Sequence, residues 1–202
     1  WQNERMPIVR DIEIEGRHAK ADGIRIVGVM QPTLSGVLIR EAHTAVHVTS
    51  RARNLLIDGC HFYHNTGVGV HLDSVDLHQT IIADSHLSYC RLGGIRIENS
   101  AIRNLQITGN DIEYNNHKLH KTEPEPTAEI YIDTTAEGAS VNEVTIASNT
   151  IQATDSPGGS NIRIREKPDA SRPPGLFAIS GNVIGSQENN VHLSGCYGIA
   201  LS

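Results

Sequence analysis

Three acidic residues, Asp73, Glu98 and Asp133, follow one another at intervals of 25 and 35 positions, and each stands two residues after His71, Arg96 or Tyr131. If those intervals bring the residues side by side, they form a row of carboxylates flanked by an imidazole, a guanidinium and a phenol. Three chemistries suit such a row. Crowded carboxylates repel, so at least one should keep its proton near neutral pH and act as a general acid. Two carboxyl groups can hydrolyse a glycosidic bond, with retention when about 5 Å apart and inversion when about 6.5–9.5 Å apart. Asp73, Glu98 and Asp133 are also candidate Ca²⁺ ligands, although that ion takes about six to eight oxygens. Bound Ca²⁺ would neutralise the carboxylate of an acidic sugar while Arg96 or His71 moves a proton, which is β-elimination. Hydrolysis needs no cofactor, so Ca²⁺ is the one candidate. In all three schemes Asp73, Glu98, Asp133, Arg96 and His71 are the catalytic set, and His47, Tyr131 and Arg163 hold the substrate.

The bland alternative is a ladder of surface ion pairs, each worth about 0.2–1 kcal/mol. Like charges directly above one another are unfavourable, so three acids in one column require an interposed cation. A second group, His61, His86 and Asp111, also recurs every 25 residues, with His64, Tyr89 and Tyr114 three positions further on. A His–His–Asp column could hold a transition metal such as Zn²⁺, and decoration of a solvated turn is its rival. His117, Lys118, His120 and Lys121 could meet an acidic ligand or form a solvated loop. There is no Gly-rich phosphate loop and no G-x-S-x-G.

What must position these residues is a repeat. Asn54-Leu-Leu-Ile-Asp-Gly-Cys60, Asn104-Leu-Gln-Ile-Thr-Gly-Asn110, Glu143-Val-Thr-Ile-Ala-Ser-Asn149 and Leu176-Phe-Ala-Ile-Ser-Gly-Asn182 are copies of one segment. A second alternation recurs as Gly69-Val70-His71-Leu72, Gly94-Ile95-Arg96-Ile97, Glu129-Ile130-Tyr131-Ile132 and Asn161-Ile162-Arg163-Ile164. The apolar period is 2, so both segments read as strands. Landmarks Ile14, Ile39, Ile57, Ile82, Ile107, Ile146 and Ile179 trace the first strand through the chain. Ile26, Val48, Leu72, Ile97, Ile132, Ile164 and Leu193 trace the second. Both series predict seven coils, and Tyr197–Ser202 begins an eighth. Stacked coils share a core that no single coil can bury.

The second strands then present two outward columns. One is Arg25, His47, His71, Arg96, Tyr131, Arg163 and His192. The other is Val27, Thr49, Asp73, Glu98, Asp133, Arg165 and Ser194. At the turn after the first strand, Cys60, Ser85, Asn110, Asn149 and Asn182 superpose, and asparagines there can link their amides from coil to coil. The preceding residue, Gly59, Asp84, Gly109, Ser148 or Gly181, tolerates a left-handed turn.

With its repeated I-x-x-N-x-I pattern, the chain resembles the right-handed parallel β-helix proteins of the pectate-lyase-like class. The resemblance implies an all-β solenoid over residues 1–202 as one domain of about seven to eight coils. The evenly spaced polar groups of the second-strand face suit a polymer with repeating units, so the expected function is a carbohydrate-active module that binds an extended polysaccharide, acidic in the β-elimination case, and cleaves it by hydrolysis or β-elimination. The rival is a non-catalytic scaffold, part of a larger surface, fibre or enzyme protein. Many β-helix lyases use Ca²⁺ or a basic residue. Extra length falls at Asn115–Ala128, Thr134–Val141 and Glu166–Gly175, where insertions would wall a binding surface.

Bulk properties agree. Aromatics make up 4% of the chain, so branched aliphatics must fill a narrow interior. A net charge of −6 argues against a nucleic-acid partner, which calls for a basic face. No apolar run is long enough to predict a membrane span. Cys60, Cys90 and Cys196 have no C-x-x-C spacing and read as free thiols. The expected setting is secreted or cell-surface, although the chain opens on polar residues with no signal peptide. A last coil with an open edge suggests a truncated piece, or an end that pairs with something else in a homo-oligomer.

Overall fold

The computed structural model describes residues 5–115, 128–152, 158–167, 175–185 and 188–202. All regular structure in them is strand, organised as a 13-stranded and a 7-stranded parallel sheet. The chain winds through three sides per coil rather than two. Asp111–Glu113, Ala128–Thr134 and Ser140–Ala147 make up one turn of the solenoid. The third side consists of strands only three residues long, such as His86–Ser88, too short to show an alternation of their own.

Each expected row of the second strand forms. Ile26, Val48, Leu72, Ile97, Ile132, Ile164 and Leu193 are successive partners. The first-strand row needs a correction at its start. Ile57, Ile82, Ile107, Ile146 and Ile179 stack as expected, but Leu34 and Val9 precede them, and Leu201 follows as the eighth level. Ile14 and Ile39 lie instead on the short side, in line with Phe62, Leu87, Ile112, Ile151 and Ile184. The interval from Ile39 to Ile57 is simply too short for a full coil.

These aliphatic rows are the core: Ile57, Leu72, Ile97, Ile107, Ile132 and Ile146 are fully buried. Truncating one to Ala would cost about 2–5 kcal/mol, since coils above and below prevent collapse of the cavity. In the strand Val68–Ala83 the chain runs unbroken round one corner, and a register shift between Val48 and Ser50 against this strand absorbs the bend. That shift ends the expected Thr49–Asp73 pairing, so the acidic column begins at Asp73.

The turn ladder also forms. Asn149 accepts from Asn110 N and Nδ2 at 3.0 Å and donates from Nδ2 to Asn182 Oδ1 at 2.9 Å. Ser85 continues it, donating from its N–H to Asn110 Oδ1 and accepting at Oγ from Cys60 N. Gly59, Asp84, Gly109, Ser148 and Gly181 all adopt positive φ, as the turn requires. A second ladder, not anticipated, closes the next corner through Asn65, Cys90 and Asn115. The three cysteines are free, as expected. Each occupies an inward turn position, where its thiol meets a carbonyl: Asp58 O, Phe62 O and Ile164 O respectively. Burial raises all three thiols, Cys90 to about 11.

Candidate functional site

The two outward columns lie on the face made by Val68–Ala83, Gly93–Glu98, Ala128–Thr134 and Ser160–Glu166. Strand pairing sets His71 beside Arg96, Arg96 beside Tyr131 and Tyr131 beside Arg163. It also sets Asp73, Glu98, Asp133 and Arg165 in order in the neighbouring column. Parallel strands place every inserted coil directly on the last, so residues far apart in sequence become neighbours about 4.8 Å apart.

Glu98 is the hub. Its Oε1 lies 2.9 Å from His71 Nε2 and its Oε2 lies 3.1 Å from Arg96 Nη2. The imidazole hydrogen bond, and then the Arg96 guanidinium, outweigh partial burial and hold its carboxyl down at about 2. An ionised carboxylate only accepts, so His71 must carry a proton on Nε2. A neutral ring then leaves Nδ1 as the basic nitrogen. His71 stacks on His47, centroids 5.4 Å apart, and His47 Nδ1 lies 2.9 Å from Asp22 Oδ2.

Asp133 is held differently. Its Oδ1 accepts from Thr135 N and Oγ1, and its Oδ2 accepts from the Tyr131 hydroxyl at 2.7 Å and faces Arg165 Nη1 at 3.2 Å. Burial alone would raise this carboxyl, but those donors and the Arg165 charge lower it. The Tyr131 phenol is raised, by burial and then by its bond to Asp133. Its ring lies between two guanidiniums, with Arg96 at 5.0 Å and Arg163 at 5.9 Å from the centroid. Asp73 accepts at Oδ1 from Ser74 Oγ and Asn99 Nδ2.

Two expectations change. The crowded carboxylates were to include one with a raised pKa, yet Glu98 and Asp133 both move down because cations and donors interleave with them. The Ca²⁺ ligand set also fits poorly. Ligand atoms of His71, Asp73 and Glu98 come within 4.8 Å of one another, but one is a nitrogen and Arg96 is already bonded to Glu98. Asp133 is committed to Tyr131, Thr135 and Arg165. Three donors beside a fixed cation fall short of the six to eight oxygens, roughly, that Ca²⁺ takes.

Partners overlooked in the sequence include Asp22, Thr135 and Asn99. Thr135 had a local signal, since a hydroxyl two residues after an aspartate readily closes a turn. Asp22 had none.

The second group assembles in part. His61, His86 and Asp111 share a column on the short side. His61 meets His86 edge-on, whereas Glu113 joins His86 and Asp111 within 4.8 Å. His86 Nε2 lies 3.4 Å from Glu113 Oε1 and 3.8 Å from Asp111 Oδ2, and burial, then the Glu113 charge, raises the Asp111 carboxyl. His64, Tyr89 and Tyr114 form a ring stack at 5.0 and 5.4 Å. His117, Lys118, His120 and Lys121 lie outside the described residues.

Comparison with known proteins bears on the fold more than on the chemistry. A family model described as right handed beta helix region matches residues 2–146. Among solved structures, the A-module of the mannuronan C-5 epimerase AlgE6 from Azotobacter vinelandii is similar, with a TM-score of 0.58 and 14% identity. The match covers 98% of this chain and 58% of that one, so the chain spans less than two thirds of its solved relative. No curated protein sequence matches.

Proposed function

The chain belongs to the right-handed β-helix family, and we propose that it holds an extended acidic polysaccharide across the Glu98 face and cleaves it by β-elimination. The observation that carries this reading is the ring of Tyr131 set between Arg96 and Arg163, beside His71 anchored on Glu98. The two outward columns contain four arginines and three carboxylates within a chain of net charge −6. Regularly spaced guanidiniums along one face suit a polymer with one carboxylate per sugar. The solved relative is named for mannuronan, a polysaccharide. A ligand of this kind fits a secreted or cell-surface setting.

Hydrolysis is the weaker alternative, because it needs a carboxyl that keeps its proton and both Glu98 and Asp133 are lowered. In β-elimination, His71 Nδ1 takes the proton from the carbon beside the sugar carboxylate. The released electron pair forms the carbon–carbon double bond, the glycosidic C–O bond breaks, and the leaving oxygen takes a proton from solvent water. Arg96 and Arg163 pair with the sugar carboxylates, His47 supports the His71 ring, and Asp73 bounds the site.

Affinity electrophoresis and ultraviolet absorbance of the unsaturated product test this reading with polyuronates and a neutral glucan. The expected results are retarded migration and rising absorbance with a polyuronate alone, and loss of both in Arg96→Ala. Retardation without absorbance would favour the non-catalytic scaffold. Equal retention of neutral and acidic polymers would refute the charge argument.

A further inference from the structure

A carboxyl sits inside the solenoid where no charge is expected. Glu129 is fully buried, at the start of the strand that carries Tyr131 and Asp133. Its position in the coil is occupied by Gly94 one coil earlier and by Asn161 one coil later, since Ile95 pairs with Ile130 and Ala128 with Ser160. This row turns inward at the corner: a Cβ on Gly94 would meet Ile112 Cγ2 at 2.6 Å and Asn115 Nδ2 at 3.0 Å.

The row continues as an amide ladder. Asn161 Nδ2 donates to Asn190 Oδ1 at 3.0 Å and to Gly185 O at 2.9 Å. With both donors so used, Asn161 Oδ1 is left buried without a partner. The other ladder shows what belongs there, for each oxygen accepts from the coil before: Asn110 Nδ2 to Asn149 Oδ1, then Asn149 Nδ2 to Asn182 Oδ1. The residue before Asn161 in this row is Glu129. Its Oε2 accepts from Asn115 Nδ2 at 2.6 Å, and its Oε1 is the second buried atom without a partner. Glu129 Oε1 and Asn161 Oδ1 are orphan oxygens in one row on adjacent coils, and a hydrogen between them would satisfy both.

We propose that Glu129 carries a proton on Oε1 at neutral pH and donates it to Asn161 Oδ1, completing the ladder in the place of an amide. Burial acts in the same direction and outweighs the hydrogen bonds from Asn115, and the charge of Glu113 on the short strand next to Asn115 adds to it. The ionisable groups that reach Glu129 among the described residues are Glu113 and the Cys90 thiol, both acids. Neither would stabilise a carboxylate there. The fold therefore contains a neutral acid that adds a side-chain bond to the backbone ladder between two coils beneath the candidate site, whatever ligand that face takes.

The sign of the consequence is fixed. The folded state keeps this proton above the ordinary glutamate value of about 4.3, so stability from this group is complete below that value and falls as pH rises towards the folded value. Urea unfolding of wild type and Glu129→Gln from about pH 5 to about pH 9 reads this directly. Gln supplies the required donor with no titration, so the ratio of the two unfolding constants should change by up to about tenfold per pH unit in favour of Gln. A ratio that stays constant across the range overturns the proposal. The ¹³C shift of the labelled Glu129 carboxyl in wild type gives the second readout, independent of any variant. A protonated shift at neutral pH is expected, and an ionised one overturns the proposal.

Discussion

The outer face and the inner turns obey one stacking rule with opposite chemical results. At both places in-register coils set equivalent residues on top of one another. Inside, Asn110, Asn149 and Asn182 are the same residue three times, and each amide both donates and accepts, so like stacks on like without strain. Outside, Asp73, Glu98 and Asp133 only accept when ionised. Each therefore needs donors of a different kind: Ser74 and Asn99, His71 and Arg96, or Tyr131, Thr135 and Arg165. A column of amides closes on itself and holds the fold. A column of carboxylates recruits cations and produces a site.

The sharpest break in this comparison is Asn149→Ala. It removes four ladder bonds: the buried Asn110 N–H loses its acceptor and Ile107 O a donor, while Asn110 Nδ2 keeps Ile82 O. At about 1–3 kcal/mol for each buried group left unsatisfied, a loss of about 3–5 kcal/mol in urea unfolding is expected. A loss below about 1 kcal/mol would mean that water replaces the amide at little cost.

Glu98→Gln should act next, and through pH. The Glu98 carboxyl is held at about 2 against an ordinary 4.5, so its contribution is present above the ordinary value and lost as pH falls towards about 2. With its side chain 24% exposed, solvent screening leaves that contribution at about 1–2 kcal/mol. Acid unfolding should show wild type and Gln converging as pH falls through this window. Curves that stay parallel would mean that His71 and Arg96 do not hold the carboxylate ionised.

Asp76→Asn should do least. Asp76 faces Arg51 and Arg53 at 3.7 Å with its side chain 55% exposed, and such pairs are worth about 0–1 kcal/mol. A thermal shift as large as that of Glu98→Gln would show that burial and partner number do not set what a stacked carboxylate contributes.

Much of this was legible in the chain because periodicity survives insertion. Every pairing of the second-strand row from Ile26 to Leu193 follows from alternation alone, even across the long intervals on either side of Ile132. The short third side was not legible, because three residues such as Asp111–Glu113 cannot display an alternation, and Ile14 and Ile39 were assigned to the wrong row for that reason. The columns of the site were legible as neighbours but not as bonds. Spacing brings Glu98 next to His71, yet only the side-chain geometry reveals that Arg96 shares it and lowers the carboxyl. Glu129 escaped notice because its alternation marks it as outward like Tyr131, whereas the corner turns its side chain into the core.

The central functional claim is that His71, bound through Nε2 to Glu98, removes the proton beside a sugar carboxylate with Nδ1. Exchange of that carbon-bound hydrogen for deuterium, followed by NMR on a polyuronate incubated with the protein in D₂O, measures the step itself. Deuterium incorporation or olefin formation with wild type, and neither with His71→Ala of unchanged fold, is the result expected. A bound polymer that keeps all its hydrogen with wild type would contradict the claim and leave a binding face without catalysis.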